Sequence, residues 1–290
     1  MEELRDEAEL SLRQRPKESD KLVHQFVKAG TAGLQDPDLS IPAAAVLGNM
    51  FLFVLAGHES SAATLWHSLT MLACKPRFQK ALQNDIDAIL DGRAVEDMQY
   101  PADYVRLMSG HVGALMKEVL RQFPVSTFLP KTNPGKHQII KSGGESYILP
   151  PNTLIILNTC AAHRHPKIWP QTYEKSMDEQ PFPVSSFDPE RWLPIPNAEV
   201  GFHEGSRFDP PPGAYFPFAE GPRSCMGKVF AQVEFCATIV GVLSKHSIML
   251  ANGPDNSPAL REAEQALSAG MGFEMGLKMK EPVQLRVSRR

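Results

Sequence analysis

One cysteine of the chain lies in a segment whose residue types suit chemistry. Cys225 is part of the run FAEGPRSCMG, residues 218–227, which precedes a predicted helix. Free N–H groups and the positive end of the helix dipole favour a thiolate at such a position, and Arg223 adds positive charge nearby. Gly221 allows a sharp turn, and Gly227 allows another group to approach the backbone closely. The segment therefore predicts a single thiolate that points out of a loop.

The remaining cysteines do not extend this site. Cys236 follows Cys225 by eleven residues and falls inside the predicted helix, so the spacing of a structural zinc site is absent. We interpret Cys74, Cys160 and Cys236 as buried thiols in a reducing compartment. A lone cysteine is more often a small buried hydrophobic residue than a ligand, and only the surrounding loop favours a ligand role for Cys225.

The run at residues 218–227 resembles the haem-binding loop of the cytochrome P450 family, Phe-x-x-Gly-x-Arg-x-Cys-x-Gly, with every fixed position present. The resemblance implies haem b as the cofactor and Cys225 as the axial ligand of its iron. It also implies that Arg223 holds a haem propionate and that Phe218 and Gly227 line the haem. Lys131 lies where many members carry an arginine that contacts a propionate, and a lysine can act there as a point charge.

Two further motifs match the same family. Glu118 and Arg121 lie three positions apart, so they share one face of a predicted helix and can pair. By itself such a pair is more often a solvated surface pair. Here it matches the family's Glu-x-x-Arg motif, and the run FDPERW at residues 187–192 matches its Pro-Glu-Arg segment. The resemblance implies that Glu118, Arg121 and Arg191 form a buried ionic triad beneath the haem.

A polar interruption of a long apolar helix matches another family motif. The run AGHESS at residues 56–61 stands where members carry a glycine, an acidic residue and a hydroxyl residue. Ser60 can donate a hydrogen bond to a preceding carbonyl and open the helix locally. By resemblance, Glu59 and Ser60 are the catalytic residues that deliver protons during oxygen activation. Ser60 replaces the usual threonine, which keeps the hydroxyl and removes a methyl group.

His163 and His165 suggest a metal site only in isolation, because they fall in one more family pattern. The pattern Asn-x-x-Ala-x-His-Arg-x-Pro is matched by Asn158, Ala161, His163, Arg164 and Pro166. We therefore expect a structural role for His163, near a cluster of short strands.

Helices and short strands must position these motifs. Apolar spacing and capping residues predict helices at 41–73, 76–90, 109–122 and 229–243. Short strands are predicted at 138–141, 145–149 and 153–158, with a turn at Gly143 and Gly144, and alternation near the C-terminus indicates further strand pairing. The helix at 41–73 is apolar on nearly every side and is expected to be a buried core helix. The fold class is mainly α (α+β), as in the C-terminal part of the P450 fold.

The whole chain, residues 1–290, is interpreted as the C-terminal portion of one catalytic domain, truncated at its N-terminus. In the family's terms its parts are a helix before the I helix (1–35), the I helix (41–73), the K helix (109–122), strands and meander (124–217), the haem loop (218–227), and the L helix with terminal strands (228–290). Apolar faces that pack on the family's N-terminal helices are expected to be exposed. A truncated gene model, a genuine short product and a C-terminal fragment stay open as explanations.

Composition excludes several other classes of protein. With 30 basic and 33 acidic residues, the net charge of −3 excludes a broadly basic nucleic-acid-binding protein. Four cysteines in 290 residues exclude a disulfide scaffold. The acidic N-terminus and an apolar run at 41–57 that is short for a membrane span predict no signal peptide and no anchor. Members of this type are anchored in the endoplasmic reticulum membrane, and the localisation of this chain stays open.

The resemblance implies a haem-thiolate monooxygenase, similar to fungal members. Such an enzyme inserts one oxygen atom of O2 into a small, lipophilic organic substrate and receives its electrons from an NADPH-dependent reductase. Two alternatives stay open. The first is a truncated, non-catalytic remnant of the family, and the second is a haem-thiolate isomerase or dehydratase. The presence of both Glu59 and Ser60 argues against the second.

Overall fold

The computed structural model describes residues 24–25, 42–133, 135–169, 187–193, 208–251, 258–268, 271–273 and 277–290. The chain divides into two units, Met1–Ser60 and Ser61–Arg290, and each is described by itself. Most of the helix predicted at 1–35 lies outside the described residues, as do residues 170–186 and 194–207 of the strands and meander predicted at 124–217.

The longest helix, α1, covers Ala43–Cys74, close to the predicted range of 41–73. Near its C-terminal end it is buried, because Met71 and Leu72 have no exposed surface. In the unit Met1–Ser60 the prediction of a buried helix is wrong, since Phe51, Leu52 and Val54 are each more than half exposed. Apolar residues on every side of a helix lead to burial only where other elements surround it. Among the described residues, no helix is both long and apolar enough to cross a membrane.

Shorter helices make up most of the second unit. They are α2 (Pro76–Leu90), α3 (Ala102–Ser109), α4 (His111–Gln122), α5 (Thr159–Arg164), α6 (Lys228–Leu243) and α7 (Pro258–Ser268), with 3₁₀ helices at Val95–Asp97 and Pro189–Trp192. The predicted helix at 76–90 is confirmed, and the one at 229–243 begins one residue early. The sequence does not predict α3 and α7, which are short and lie in segments where prolines and alternating residues are the stronger signals.

A glycine between α3 and α4 allows the two helices to meet. The Asp85 carboxylate of α2 accepts a hydrogen bond from the His111 amide at 2.9 Å and thereby caps α4. A β-carbon at Gly110 would lie 2.3 Å from that carboxylate oxygen. The absence of a side chain at Gly110 therefore lets α2 hold the start of α4.

Short antiparallel strands complete the described fold. They are β1 (Phe128–Thr132), β2 (Gln138–Ser142), β3 (Glu145–Leu149), β4 (Leu154–Asn158), β5 (His246–Leu250), β6 (Met271–Phe273), β7 (Leu277–Met279) and β8 (Leu285–Arg289). They pair as β1–β4, β2–β3, β5–β8 and β6–β7. The β2–β3 hairpin is confirmed, with its turn at Gly143 and Gly144 at positive φ, 61° and 86°. The sequence does not predict β1, because Pro130 argues against a strand.

The core of the second unit lies where α2, α4 and α6 pack together. Leu82 and Ile86 of α2, Leu115 and Val119 of α4, and Ile239 of α6 have no exposed surface. A smaller aromatic cluster contains Trp169 and Trp192 and packs against Ala114 of α4. Residues of α4 thus belong to two apolar clusters. The fold is mainly α with small antiparallel sheets, as predicted.

Candidate functional site

The loop that carries Cys225 is a tight turn in front of α6. The Cys225 amide donates a hydrogen bond to the Phe218 carbonyl at 2.8 Å, and the Ser224 amide donates one to the Gly221 carbonyl at 3.0 Å. Ala219 and Gly221 adopt positive φ, 55° and 81°. These two residues in the left-handed region turn the chain back on itself. The loop therefore places Cys225 at the N-terminus of α6.

The Cys225 thiol lies on the N-terminal side of α6. Its side chain is exposed, and it stands three positions before Lys228, the first residue of α6. The first turn of α6 contains no acidic residue. Its free N–H groups and the positive end of its dipole therefore lie at the end of the helix that Cys225 precedes. A β-carbon at Gly227 would lie 3.9 Å from the sulfur, an ordinary van der Waals distance, so the thiol itself does not require a glycine at this position.

Apolar side chains next to the thiol are open to solvent. Met226 is 85% exposed, Val229 is 53% exposed and Phe230 is 67% exposed. Clustered exposure of large apolar residues is typical of a surface that binds an apolar ligand or another protein segment.

Arg223 and Lys131 are the two cations predicted to bind carboxylates of a cofactor. Arg223 is exposed in the loop, and Lys131 is half-buried in β1, opposite Ile155 of β4. Neither forms an ion pair with any residue that the structure describes. Phe218 is half-buried, and the ammonium of Lys228 lies 6.0 Å from its ring centre. The roles of these residues toward a cofactor stay predictions.

Glu118 of α4 is the centre of a buried ionic cluster. Its carboxylate accepts two hydrogen bonds from the Arg121 guanidinium, at 2.7 and 2.9 Å, and lies 3.3 Å from Nε of Arg191. The three side chains are 0%, 4% and 5% exposed in that order. The cluster joins α4 to the 3₁₀ helix Pro189–Trp192.

Two further N–H groups bind the same carboxylate. The Asp188 amide and the indole nitrogen of Trp192 each donate a hydrogen bond to Glu118 at 2.9 Å. Charged hydrogen bonds of this kind are stronger than neutral ones. The Asp188 carboxylate also lies 3.8 Å from Arg191, so a second acidic group faces this arginine. Sequence reasoning misses both donors, although they stand beside Arg191 in the matched run.

His163 and Tyr215 connect α4 to the segment that enters the Cys225 loop. The Tyr215 hydroxyl donates a hydrogen bond to the Lys117 carbonyl at 2.9 Å. The Phe216 amide donates one to Nε2 of His163 at 2.9 Å, and Nδ1 of the same ring lies 3.2 Å from the Leu120 carbonyl. Burial lowers the pKa of His163 to about 4, so its ring is neutral at pH 7. The structural role expected for His163 is confirmed.

Glu59 and Ser60 belong to the unit Met1–Ser60 and lie within α1. The Ser60 hydroxyl donates hydrogen bonds to the carbonyls of Ala56 and Gly57, at 2.7 and 3.4 Å. α1 continues without interruption through this turn, so the expected local opening of the helix is absent. The hydroxyl bonds to carbonyls of an intact helix. Both side chains are half-buried.

The cytochrome P450 family model matches residues 2–268. The chain is a member of the cytochrome P450 family. A cytochrome P450 monooxygenase of Arthrobotrys oligospora is 30% identical over 226 residues, which cover 72% of this chain and 36% of that protein. The phomenoic acid biosynthesis cluster cytochrome P450 monooxygenase of Leptosphaeria maculans is 27% identical, with 91% and 45% covered. Cytochrome P450 3A13 of Mus musculus is 28% identical, with 70% and 34% covered. The chain thus spans less than half the length of these relatives.

Family membership implies a haem cofactor, and the residues around Cys225 fit that group. A haem presents an iron that accepts a thiolate, a flat apolar ring and two carboxylates. Three features of one stretch of chain match these groups: the exposed thiol of Cys225, the uncovered apolar side chains of Met226 and Phe230, and the Arg223 cation, which forms no ion pair with a residue that the structure describes. The donor set of the P450 loop is therefore suited to haem.

Proposed function

We propose that this chain forms the haem-thiolate centre of a monooxygenase. The observation that carries the proposal is the exposed thiol of Cys225, which the bond between its amide and the Phe218 carbonyl holds in front of α6. The reaction inserts one oxygen atom of O2 into a small, lipophilic organic substrate. The electrons come from a reductase that uses NADPH. When bound, the haem supplies a redox-active iron whose thiolate ligand favours cleavage of the O–O bond.

The loop residues have separate tasks in this proposal. Cys225 binds the iron as a thiolate, which the N–H groups at the start of α6 stabilise. Arg223 and Lys131 bind the two propionates, and their lack of other ion pairs among the described residues supports this role. Met226 and Phe230 supply apolar surface that excludes water from the bound ring.

Glu59 and Ser60 are proposed to move protons to the reacting oxygen. A carboxylate can take up and release a proton, and a serine hydroxyl can pass one on when it leaves its hydrogen bond to the Ala56 carbonyl. The match of residues 56–61 to the family motif supports this assignment.

A carbon monoxide difference spectrum of the reduced, haem-loaded chain tests the proposal. We expect the red-shifted Soret band that thiolate-ligated haem gives with carbon monoxide. Cys225→Ser should remove this band. Cys236→Ser is the matched control, because Cys236 is buried in α6 and burial raises its pKa to about 12. This control should keep the band.

Other outcomes separate the alternatives. If the wild-type chain gives no such band, or if Cys225→Ser keeps it, the haem-thiolate proposal is wrong and the non-catalytic remnant is favoured. If the band is present but no labelled oxygen from ¹⁸O₂ enters a product over a panel of lipophilic substrates, an isomerase or dehydratase is favoured over a monooxygenase.

A further inference from the structure

The imidazole of His163 lies between α4 and the entry to the Cys225 loop, and its hydrogen bonds fix its protonation state. The Phe216 amide can only donate, so Nε2 at 2.9 Å must accept and carries no proton. The Leu120 carbonyl can only accept, so Nδ1 at 3.2 Å must carry the proton. The ring is fully buried. It therefore bridges two backbone groups as one neutral tautomer.

Hydrogen bonds continue from this bridge to the cysteine. The Phe216 carbonyl accepts a bond from the Ala219 amide at 3.0 Å, and the Phe218 carbonyl accepts one from the Cys225 amide at 2.8 Å. The His163 bridge thus holds Phe216, the residue at which the turn begins. The hydrogen bonds of the turn then hold Cys225.

We propose that His163 is a positioning residue for Cys225, which as a neutral bridge between the Leu120 carbonyl and the Phe216 amide sets where the Cys225 loop begins. The inference deepens the proposed function and rests on it for the role of Cys225 as a ligand.

The bridge is sensitive to protonation. A proton on Nε2 would set two donors against each other, because the Phe216 amide has no second acceptor in this arrangement. The charged groups that face the ring favour its neutral form. They are the guanidinium of Arg121 from α4, which donates to the His163 carbonyl at 3.2 Å, and that of Arg164 from α5, which bonds to the Gln122 carbonyl. Tyr215 packs against the ring at 5.0 Å, and burial raises its pKa well above its ordinary value, so it stays neutral.

His67 provides a matched control. It is also buried, its pKa is also lowered to about 4 by burial, and its Nδ1 also lies close to a backbone carbonyl, that of Ala63 at 2.6 Å. Its Nε2 has no hydrogen-bond partner among the described residues, so it holds no backbone amide. His67 thus shares with His163 the burial, the lowered pKa and the contact of Nδ1 with a carbonyl, but not the bridge to an amide.

Amide hydrogen exchange of the 290-residue chain, read by mass spectrometry over residues 214–226, tests the inference without haem. His163→Phe keeps an aromatic ring and removes both hydrogen bonds, so we expect exchange at Phe216 and Cys225 to rise about tenfold. His163→Gln retains a donor and an acceptor and should restore most of the protection. His67→Phe should leave the exchange of this segment unchanged.

A pH series keeps the test decisive if His163→Phe does not fold. Protection of the Phe216 amide, corrected for intrinsic exchange, should fall in the wild-type chain as pH approaches 4 and stay level in His163→Gln. The inference is overturned if His163→Phe exchanges like the wild type, if His67→Phe raises exchange equally, or if the two pH series coincide.

Failure of the proposed function would look different. A haem-loaded wild-type chain without the thiolate band would remove the ligand role of Cys225, while the exchange data would still decide whether His163 positions the loop. With the band present, His163→Phe should also lower the fraction of haem in the thiolate-ligated form, and His67→Phe should not.

Discussion

Replacement of Glu118 by glutamine tests the buried ionic cluster directly. Glu118→Gln keeps the size of the side chain and removes its charge. The guanidinium groups of Arg121 and Arg191, 4% and 5% exposed, would remain buried without the carboxylate that lies between them. The N–H groups of Asp188 and Trp192 bind different oxygens of Glu118, so the NH2 of the new amide would also face one of these two donors. The substitution therefore creates both an uncompensated charge and unsatisfied donors.

The expected loss is large relative to the stability of a domain. Removal of one partner from a buried ion pair costs about 3–5 kcal/mol, whereas domains unfold with about 5–15 kcal/mol. Asp87→Asn is the matched control, because it makes the same chemical change in the exposed pair with Arg290. The Asp87 side chain is 52% exposed. We expect that control to lose less than about 1 kcal/mol.

Urea unfolding followed by circular dichroism and by tryptophan fluorescence measures both losses. The m value should be unchanged, so that the difference in midpoint reports stability. Fluorescence also reports the site, because Trp192 donates a hydrogen bond to Glu118. A loss for Glu118→Gln below about 1 kcal/mol, equal to that of Asp87→Asn, would refute the view that this cluster stabilises the fold.

Three further outcomes are expected. Burial lowers the pKa of His163 from 6.5 to about 4, so the unfolded chain binds more protons than the folded chain between these pH values. The free energy of unfolding should therefore fall by up to about 3 kcal/mol as the pH drops through this range. Urea titrations should show a smaller fall for His163→Gln. In the haem-free chain, iodoacetamide should modify exposed Cys225 before buried Cys236, and haem loading should protect Cys225. Peptide mass spectrometry measures both effects. Ser60→Ala should lower product formed per NADPH consumed in the reconstituted enzyme, and Ser60→Thr should not, because threonine keeps the hydroxyl.

Local signals explain which parts of the fold the sequence predicts. The helix at 76–90 begins with a proline in its first turn, and the hairpin turn contains Gly143 and Gly144, which adopt positive φ. These residue types are visible in the sequence itself. β1 escapes prediction because Pro130 obscures it, and its pairing partner β4 begins more than twenty residues later. The exposure of Phe51 and Leu52 depends on which elements surround α1, and periodicity does not record this.

The candidate site shows the same division between local and distant information. The order of fixed residues in the Cys225 loop and in the Glu118–Arg121 pair is enough to predict that these residues matter. The Asp188 amide and the Trp192 indole come from about seventy residues further along the chain, so their bonds to Glu118 become visible only in the fold.

α4 holds the entry to the Cys225 loop largely through backbone carbonyl oxygens, which every residue has. Lys117 and Leu120 hold the entry to the Cys225 loop through their carbonyl oxygens, which bond to Tyr215 and His163. A substitution at either position leaves the carbonyl in place, so residue type there carries little information about this role. The partners act through their side chains. The position of Cys225 should therefore tolerate change at Lys117 more readily than change at His163.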